Sequence, residues 1–157
     1  MPETKPRTTP SGRRVRSPGV PAFLPAFLLA VGPAFAGQLA VSVSQARNDS
    51  GRVRCGLFDR ADGWRDEEQA LRAVDAAVVS GKATCDFGSV PAGEYAIAVF
   101  HAEQGEPRVE YGFLGKPRQG VGFSNNPSIT FGAPGFDTAK VSVGDDDDLN
   151  VEVMLKY

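Results

Sequence analysis

The chain has 157 residues, of which 17 are Lys or Arg, 19 are Asp or Glu, one is His and two are Cys. This length suits one domain with a processed leader, and one His with two Cys cannot supply the four ligands of a structural zinc site. A net charge of −2, with no basic tract in the second half, argues against a nucleic-acid binder. The 18 Gly and 12 Pro favour short strands joined by turns over long helices.

The first 36 residues have the organisation of a secretory signal peptide. Residues 1–19 hold five Lys or Arg against one acidic residue, and residues 20–31 are apolar and uncharged. The sequence GPAFA at 32–36 then supplies the small side chains of a cleavage site. The apolar segment is too short for a stable membrane span, which needs about 20 residues. We therefore predict a signal peptide over 1–36, a single domain over 37–157, and a periplasmic or extracellular location.

Cleavage at that point makes the remaining domain acidic. Residues 37–157 keep 12 Lys or Arg and 18 Asp or Glu, a net charge of −6. Such a charge predicts repulsion from nucleic acid and from anionic lipid. The pair Arg13-Arg14 in the leader leaves both the general secretory route and the twin-arginine route open.

Alternating apolar and polar residues predict two hairpins in the first half of the domain. Residues 39–43 and 53–57 each alternate with period two and flank an Asn-Asp-Ser-Gly turn. Residues 74–79 and 82–87 flank a Ser-Gly pair in the same way. Between these hairpins, residues 66–72 begin with acidic side chains and contain helix formers, so they predict one short helix at most.

The second half of the domain predicts a central strand and a C-terminal hairpin. Residues 94–101 are apolar on both faces, which is typical of a strand that is covered on both sides. Residues 140–143 and 149–157 alternate around an acidic turn. About seven strands with at most one short helix predict an all-β fold, an antiparallel β-sandwich.

The two cysteines lie on the predicted inner faces of their strands. Cys55 shares a face with Val53 and Leu57, and Cys85 shares one with Phe87. An even number of cysteines in an exported chain favours a disulfide. Closing the loop between them would stabilise the fold by about 3–4 kcal/mol through chain entropy. Two buried free thiols are the alternative, because Cys also packs as a small apolar residue.

A long segment rich in Gly and Pro, residues 101–134, joins the central strand to the C-terminal hairpin. A loop of this length in a compact domain is usually functional or disordered, and its apolar residues favour packing. The sequences PAGEYAIAVFH, LGKP, GVGFSNN and PGFDTA, which begin at Pro91, Leu114, Gly120 and Pro134, resemble the bacterial secreted domain of unknown function 2141. The resemblance implies an exported β-sandwich of the transthyretin or immunoglobulin-like kind, without an established activity.

The family's usual sequence after the central strand is His-Asp-Glu-Asn-Gly-Asn-Gly followed by Asp, which is similar to an oxygen-rich cation loop. This chain departs from it at Ala102, Gln104 and Pro107, and Ala102 removes one carboxylate donor. We therefore carry over no metal site and predict no cofactor. Asp145 and Asp147 in the acidic turn are weaker candidates for a Ca²⁺ contact, because an EF-hand loop starting at Asp145 would lack its Gly and its Glu.

Two classes of function fit these features. The first is a non-catalytic exported module that binds a small ligand, a glycan or an envelope protein through the long loop. The second is a periplasmic hydrolase that uses His101 with Glu103 or Glu106. No nucleophile with a partner acid accompanies His101, so we assign no catalytic residue and favour the binding module, with a purely architectural role as a third hypothesis. The candidate ligand-binding residues are His101, Glu103, Glu106, Tyr111, Phe123, Ser124, Asn125 and Asn126.

Several candidates also have a structural interpretation. His101 ends the central strand, where its hydrogen bonds would order the following loop. Ser124, with Asn125 and Asn126, would cap a tight turn through side-chain-to-backbone hydrogen bonds. Trp64 would cover the edge of the core, and stacking on a ligand is the alternative for its ring.

Overall fold

The computed structural model describes residues 2–4, 8, 12 and 36–157. The predicted signal peptide therefore lies outside the described residues apart from those few positions, and it stays a prediction. No helix in the described part of the chain is both long enough and apolar enough to cross a membrane.

The described domain is built from eight strands and three short helical turns. The strands are β1 (Ala36–Ser44), β2 (Arg52–Phe58), β3 (Arg72–Ala77), β4 (Ala83–Pro91), β5 (Gly93–Ala102), β6 (Val121–Phe123), β7 (Lys140–Val143) and β8 (Asp148–Met154). The helical turns are a 3₁₀ turn at Glu67–Gln69, a 3₁₀ turn at Phe113–Gly115 and the four-residue helix α1 at Phe136–Ala139.

The strands form two sheets, which confirms the predicted all-β sandwich. The three-stranded sheet has the order β4-β1-β8, and the five-stranded sheet has the order β3-β2-β5-β6. Strand β7 pairs with the first half of β5, beside β6 on the same edge. The sequence predicted an antiparallel sandwich, but one pair of neighbouring strands, β1 and β8, is parallel. The chain enters β8 from β7 in the opposite sheet, so no tight hairpin dictates the direction of β8.

The predicted hairpins are wrong in their pairing. Strand β1 pairs with β4 and β8, whereas β2 pairs with β3 and β5, so the first predicted hairpin joins two different sheets. Strands β7 and β8 are divided between the sheets in the same way. Period-two alternation identifies the buried face of a strand, but two strands that face one core from opposite sheets show the same pattern. The alternation therefore could not tell a hairpin from a crossing between the sheets.

The turn between β3 and β4 shows how such a crossing is made. Ser80 and Gly81 have φ values of 52° and 73°, the left-handed conformation of a two-residue type I′ turn. Backbone hydrogen bonds join Val79 and Lys82 across this turn, and the Asp49 carboxylate accepts the N–H groups of Ser80 and Gly81 at 2.8 Å. Beyond this single bridge, β3 and β4 continue into different sheets.

The inner faces of both sheets enclose the main core, which a disulfide crosses. Cys55 in β2 and Cys85 in β4 are fully buried, and their sulfur atoms are 2.09 Å apart. Because β2 and β4 belong to different sheets, the bond joins the two layers. The predicted disulfide is confirmed.

Strand β5 is the central strand of the five-stranded sheet, as its sequence predicts. Its inner face contributes Tyr95, Ile97 and Val99 to the main core. Its outer face contributes to a second apolar cluster, which also includes residues of β6 and α1: Ala96, Phe100, Ala102, Val121, Phe123 and Ala139. The prediction of a strand covered on both sides is confirmed.

The predicted short helix is reduced to one 3₁₀ turn. Asp66 caps Glu67–Gln69, its side chain accepting the N–H of Glu68. The chain becomes extended at Ala70 and enters β3 at Arg72. Three residues cannot propagate a helix that is not packed along one face, and none of the residues of this turn is buried.

Candidate functional site

A groove of about 1630 Å³ lies over the outer face of the five-stranded sheet. Strand β6 divides the predicted long loop into two segments, which we call the first loop (residues 103–120) and the second loop (residues 124–135). Both loops line the groove, together with residues around the 3₁₀ turn at Glu67–Gln69. The lining of the groove is more apolar than polar.

The floor of the groove follows from the register of β2 and β5. Gly56 lies opposite Ala98, so the centre of the floor carries small side chains. Phe58 and Phe100 stand on either side of them along the strands, and both are buried. A Cβ atom at Gly56 would lie 2.9 Å from Cε2 of Phe58, which shows that this ring leans over the glycine. The Phe58 ring fills the space over Gly56, so the apolar trough is open at the half-buried Ala98.

Trp64 closes one end of this apolar cluster. Its ring packs edge-on against Phe58 and Phe136, with centroid distances of 5.1 and 5.8 Å. Its indole N–H donates to the carbonyl oxygen of Pro134 at 2.9 Å, which ties the second loop to the connection between β2 and β3. The structure therefore supports the packing interpretation of Trp64.

Arg54 connects the floor of the groove to the first loop. Its guanidinium group donates to both carboxylate oxygens of Asp75, at 2.7 and 2.9 Å, and to the carbonyl oxygen of Pro107 at 3.1 Å. The hydrogen bonds from Arg54 hold the pKa of Asp75 below its usual value, although burial opposes the shift. Burial raises the pKa of Glu67, and the charge of Arg54, 3.7 Å away, only partly offsets that effect.

The rim of the groove exposes large apolar side chains. Tyr111 and Leu114 on the first loop line the groove and are 58% and 80% exposed, and Phe113 beside Leu114 is 89% exposed. Phe131 on the second loop is 104% exposed. Apolar side chains that protrude at the mouth of an apolar cleft are typical of a binding surface.

His101 lies at the base of the first loop and is fully buried. Its Nε2 is 2.7 Å from the carbonyl oxygen of Ser50, so Nε2 carries a proton and donates. Its Nδ1 is 2.9 Å from the hydroxyl of Tyr157, which donates to it in the neutral ring. The Tyr157 hydroxyl in turn accepts the N–H of Arg47 at 3.1 Å. His101 thus fastens the C-terminus to the β1–β2 connection.

Glu103 belongs to a polar cluster beside His101. Its carboxylate forms an ion pair with Arg47 at 2.7 Å and accepts a hydrogen bond from Asn48 at 2.7 Å. Burial raises the pKa of Glu103, but the hydrogen bonds from Arg47 and Asn48 lower it more, so the net shift is downward. The guanidinium group of Arg47 also stacks 4.7 Å from the centre of the Tyr157 ring.

Glu106 holds the first loop together from within. Its carboxylate accepts the backbone N–H of Gln104 at 2.9 Å and the side-chain amide of Gln119 at 3.3 Å. The buried Gln119 accepts the N–H of Glu110 at 2.8 Å. Within the described residues, neither Glu103 nor Glu106 hydrogen-bonds to His101. The hydrolase hypothesis gains no support from this geometry.

Ser124, Asn125 and Asn126 connect the end of β6 to its neighbours. The hydroxyl of Ser124 is buried, accepts the N–H of Ile97 at 2.9 Å and donates to the carbonyl oxygen of Ala139. The amide of Asn125 donates to the carbonyl oxygens of Thr138 and Lys140. Asn126 uses both ends of its amide on the outer edge of β8, at the carbonyl oxygen of Glu152 and the N–H of Met154. These bonds are side-chain-to-backbone, as predicted, but they join the turn to β5, α1, β7 and β8 and do not cap the turn itself.

The acidic turn lies between β7 and β8. The Asp147 carboxylate accepts the N–H of Gly144 at 2.6 Å, which closes the turn, and Asp145 is exposed. Within the described residues, no group of three or more His, Cys, Asp or Glu side chains is close enough together to hold a metal ion.

The structure therefore brings two of the eight predicted residues to the groove. Tyr111 and Phe123 line it. The polar atoms of the other six are engaged in the contacts just described, with backbone or neighbouring side chains of the domain itself. Phe58, Phe100 and Phe131 also line the groove and were not predicted as site residues from the sequence. The outer face of β5 is apolar in the sequence, which indicates that something covers it. That pattern could have identified Phe100 as a residue beneath the loops.

Comparison with known proteins gives the domain a family. Residues 41–151 match the family described as "Uncharacterized protein conserved in bacteria (DUF2141)". The chain belongs to this family. The match extends from β1 into β8 and therefore includes both sheets and both loops. It confirms the resemblance seen in the sequence.

No curated protein and no solved structure matches the chain. The family description supplies no ligand or reaction, so a function has to be argued from the groove and from the side chains around it.

Proposed function

We propose that the protein is an exported, non-catalytic binding module that holds an apolar or aromatic ligand in the groove beneath its two loops. The observation that carries this proposal is the trough at the half-buried Ala98, with the buried rings of Phe58 and Phe100 beside it. Ligand sites are typically clefts of about 300–1,000 Å³ with mostly apolar walls. The groove exceeds that range, so it has room for an extended or branched ligand.

Export is supported by two independent features. The leader has a basic segment, an apolar segment and small residues at its end. The disulfide between Cys55 and Cys85 is a bond that forms and persists in oxidising compartments such as the periplasm.

The absence of catalysis is supported by how the polar candidates are used. A general base must be free to reach a substrate proton. Both ring nitrogens of His101 are engaged with Ser50 and Tyr157, and the ring is fully buried. Ser124 is likewise buried, with its hydroxyl between β5 and α1.

The proposal is tested by filling the trough. Ala98→Trp places a large ring on the floor, and Ala40→Trp places the same ring on the outer face of the three-stranded sheet. Both alanines are half-buried and lie in the central strands of their sheets. The measurement is the fluorescence of the apolar dye N-phenyl-1-naphthylamine titrated with the exported protein.

We expect Ala98→Trp to weaken dye binding by about tenfold or more and Ala40→Trp to leave it unchanged. Thermal melts of both variants establish that each remains folded. Failure of the parent protein to bind the dye, or equal binding by both variants, would overturn the proposal.

A further inference from the structure

We propose that the tips of the two loops, Phe113 and Leu114 on the first and Phe131 on the second, insert into the surface of an anionic lipid bilayer. This proposal stands apart from ligand binding in the groove, because it concerns the outward-facing rim and not the floor.

The three side chains are the most exposed large apolar residues in the described part of the chain. Leu114 and Phe131 both line the mouth of one groove, which places the two tips on the same side of the molecule. A protein that remained in water would leave these side chains hydrated at a free-energy cost. Insertion into the boundary between headgroups and acyl chains would remove that cost.

The first tip is a built structure. Tyr111 and Pro117 form a bridge, and the N–H of Arg118 donates to the carbonyl oxygen of Glu110 at 2.8 Å. Within this narrow ribbon, the N–H of Gly112 donates to the carbonyl oxygen of Lys116 at 2.8 Å. The ribbon therefore presents Phe113 and its neighbour in a fixed arrangement before any membrane is met.

The backbone conformation of Leu114 is a second feature of the first tip that favours a binding role. Its φ and ψ angles of 60° and 23° are left-handed, a conformation that is costly for a branched apolar residue. Strained backbone persists where surrounding structure holds it, and it concentrates at binding surfaces. Here it turns an apolar side chain toward solvent, where it makes no contribution to the core.

Charge favours an anionic surface. The first loop carries three basic and three acidic side chains, but Glu103 and Glu106 accept hydrogen bonds at its base. The outer part of the loop, residues 107–118, therefore has a net charge of +2. Within the described residues, Arg108, Lys116 and Arg118 form no salt bridge. Residues 128–135 carry no charge. Long basic side chains beside an apolar tip can reach lipid phosphates while the tip is buried.

The acidity of the whole domain does not cancel this local charge. The acidic turn at 145–148 follows the end of β5 that holds Gly93, whereas the first loop leaves from the end that holds Ala102. Three acidic side chains line the groove, Asp66, Glu67 and Glu68, but five basic side chains line it with them, and Arg54 is paired with Glu67. Charges beyond the Debye length of about 8–10 Å are largely screened at physiological salt.

A bilayer fits this rim better than a protein partner. A stable protein interface buries about 800 Å² on each partner as a continuous patch. The two tips stand on different loops with a groove between them, so they present separate points and not one flat patch. Separate apolar points flanked by cations can enter a fluid surface, which adapts to their spacing.

The experiment is sedimentation of the purified exported protein with vesicles of pure phosphatidylglycerol or pure phosphatidylcholine. We expect binding to phosphatidylglycerol to exceed binding to phosphatidylcholine by about tenfold or more. The double variant Phe113→Ser with Leu114→Ser should lose about tenfold in affinity for phosphatidylglycerol. The matched control is Val79→Ser, which changes another exposed side chain (69% exposed) at the turn between β3 and β4 and should leave binding unchanged.

Two further measurements distinguish insertion from simple adhesion. Phe113→Trp adds a second tryptophan to Trp64, so its emission is taken as the difference from the parent protein. That difference should be blue-shifted, and quenched by brominated lipid, only when phosphatidylglycerol vesicles are present. Lys116→Glu should weaken binding to phosphatidylglycerol while melting at the same temperature as the parent protein. Equal binding to both lipids, an unchanged emission spectrum, or sedimentation without vesicles, which would point to a second copy as the partner, would each overturn the proposal.

Discussion

The two outer faces of the sandwich differ sharply although the strands beneath them are similar. On the three-stranded sheet, the outer positions of β1 and β8 hold polar or small side chains except at Met154, and Ser42 hydrogen-bonds to Asn150 across the strands at 3.1 Å. On the five-stranded sheet, Phe100 and Phe123 are buried by the two loops. One face is in contact with solvent and the other supports a second apolar cluster.

The covered face of this sandwich is the one that carries a candidate site. A strand with one face in solvent alternates apolar and polar residues, so that every second side chain is polar. A covered face needs apolar residues on both sides of its strands, and the loops that cover it do not pack as regularly as a third sheet would. The groove lies in the space between that sheet and its loops. Function in this domain is therefore expected on the five-stranded sheet.

Truncating a covered residue should have the largest effect. Phe100→Ala removes a ring that is only 4% exposed, and such a change should lower the free energy of unfolding by about 3–5 kcal/mol. Ser42→Ala on the solvated face should change it by no more than about 0.5 kcal/mol. Urea denaturation measures both values. Similar losses for the two variants would show that the outer face of the five-stranded sheet is not a second core.

Removal of the disulfide should lower the free energy of unfolding by a comparable or slightly smaller amount, and it should affect both sheets. Replacing Cys55 and Cys85 together by Ala opens a loop with a sequence separation of 30 residues and should lower the free energy of unfolding by about 3–4 kcal/mol. The parent protein treated with dithiothreitol is the control and should show the same midpoint in urea. Because the bond joins the two sheets, hydrogen exchange should quicken in both. An unchanged midpoint after verified reduction would contradict this prediction.

The ion pair on the covered face should have the smallest effect, and it should depend on pH. Hydrogen bonds from Arg54 keep the pKa of Asp75 lower in the folded protein than in the unfolded chain. The stabilisation is therefore fully present above about pH 4 and is lost as the pH falls and the carboxylate becomes protonated. Asp75→Asn should cost less than about 1 kcal/mol at neutral pH, since the pair is partly exposed.

The matched control is Glu152→Gln, on the outer face of the three-stranded sheet. Glu152 forms no salt bridge within the described residues. Its replacement should leave stability nearly unchanged at every pH. Urea midpoints measured from neutral pH down to pH 3 compare the two variants, and a cost of Asp75→Asn that does not decrease as the pH falls would contradict the assignment.

The sequence predicted the layers better than the order of strands within them. The apolar faces of 39–43 and 53–57 correctly identify core positions, and the pattern at 94–101 correctly identifies a doubly covered strand. The pairing of neighbours was wrong because a tight turn such as Ser80-Gly81 is compatible both with a hairpin and with a crossing between sheets. Long-range pairing is decided by packing, which a local pattern does not contain.

The candidate site was predicted in outline. The long loop does cover one side of the domain, yet polar residues such as His101 and Asn126 hold it in place, while buried aromatic rings form the groove. Residue type alone favours His and Glu as functional, because these side chains can carry chemistry. Only hydrogen-bond partners reveal that their capacity is already used.

The amino-acid sequence was enough to predict the positions of most strands, the faces that they bury and the pairing of the two cysteines in the core. These features depend on period-two burial and on the limited number of apolar residues, which the order of amino acids specifies directly. Tertiary structure alone decided which strands share a sheet, how the loops cover Phe100, and that Phe113 and Phe131 remain outside. Those outcomes depend on contacts between residues far apart in the chain, where the entropy of closing a loop is balanced against the surface that the closure buries.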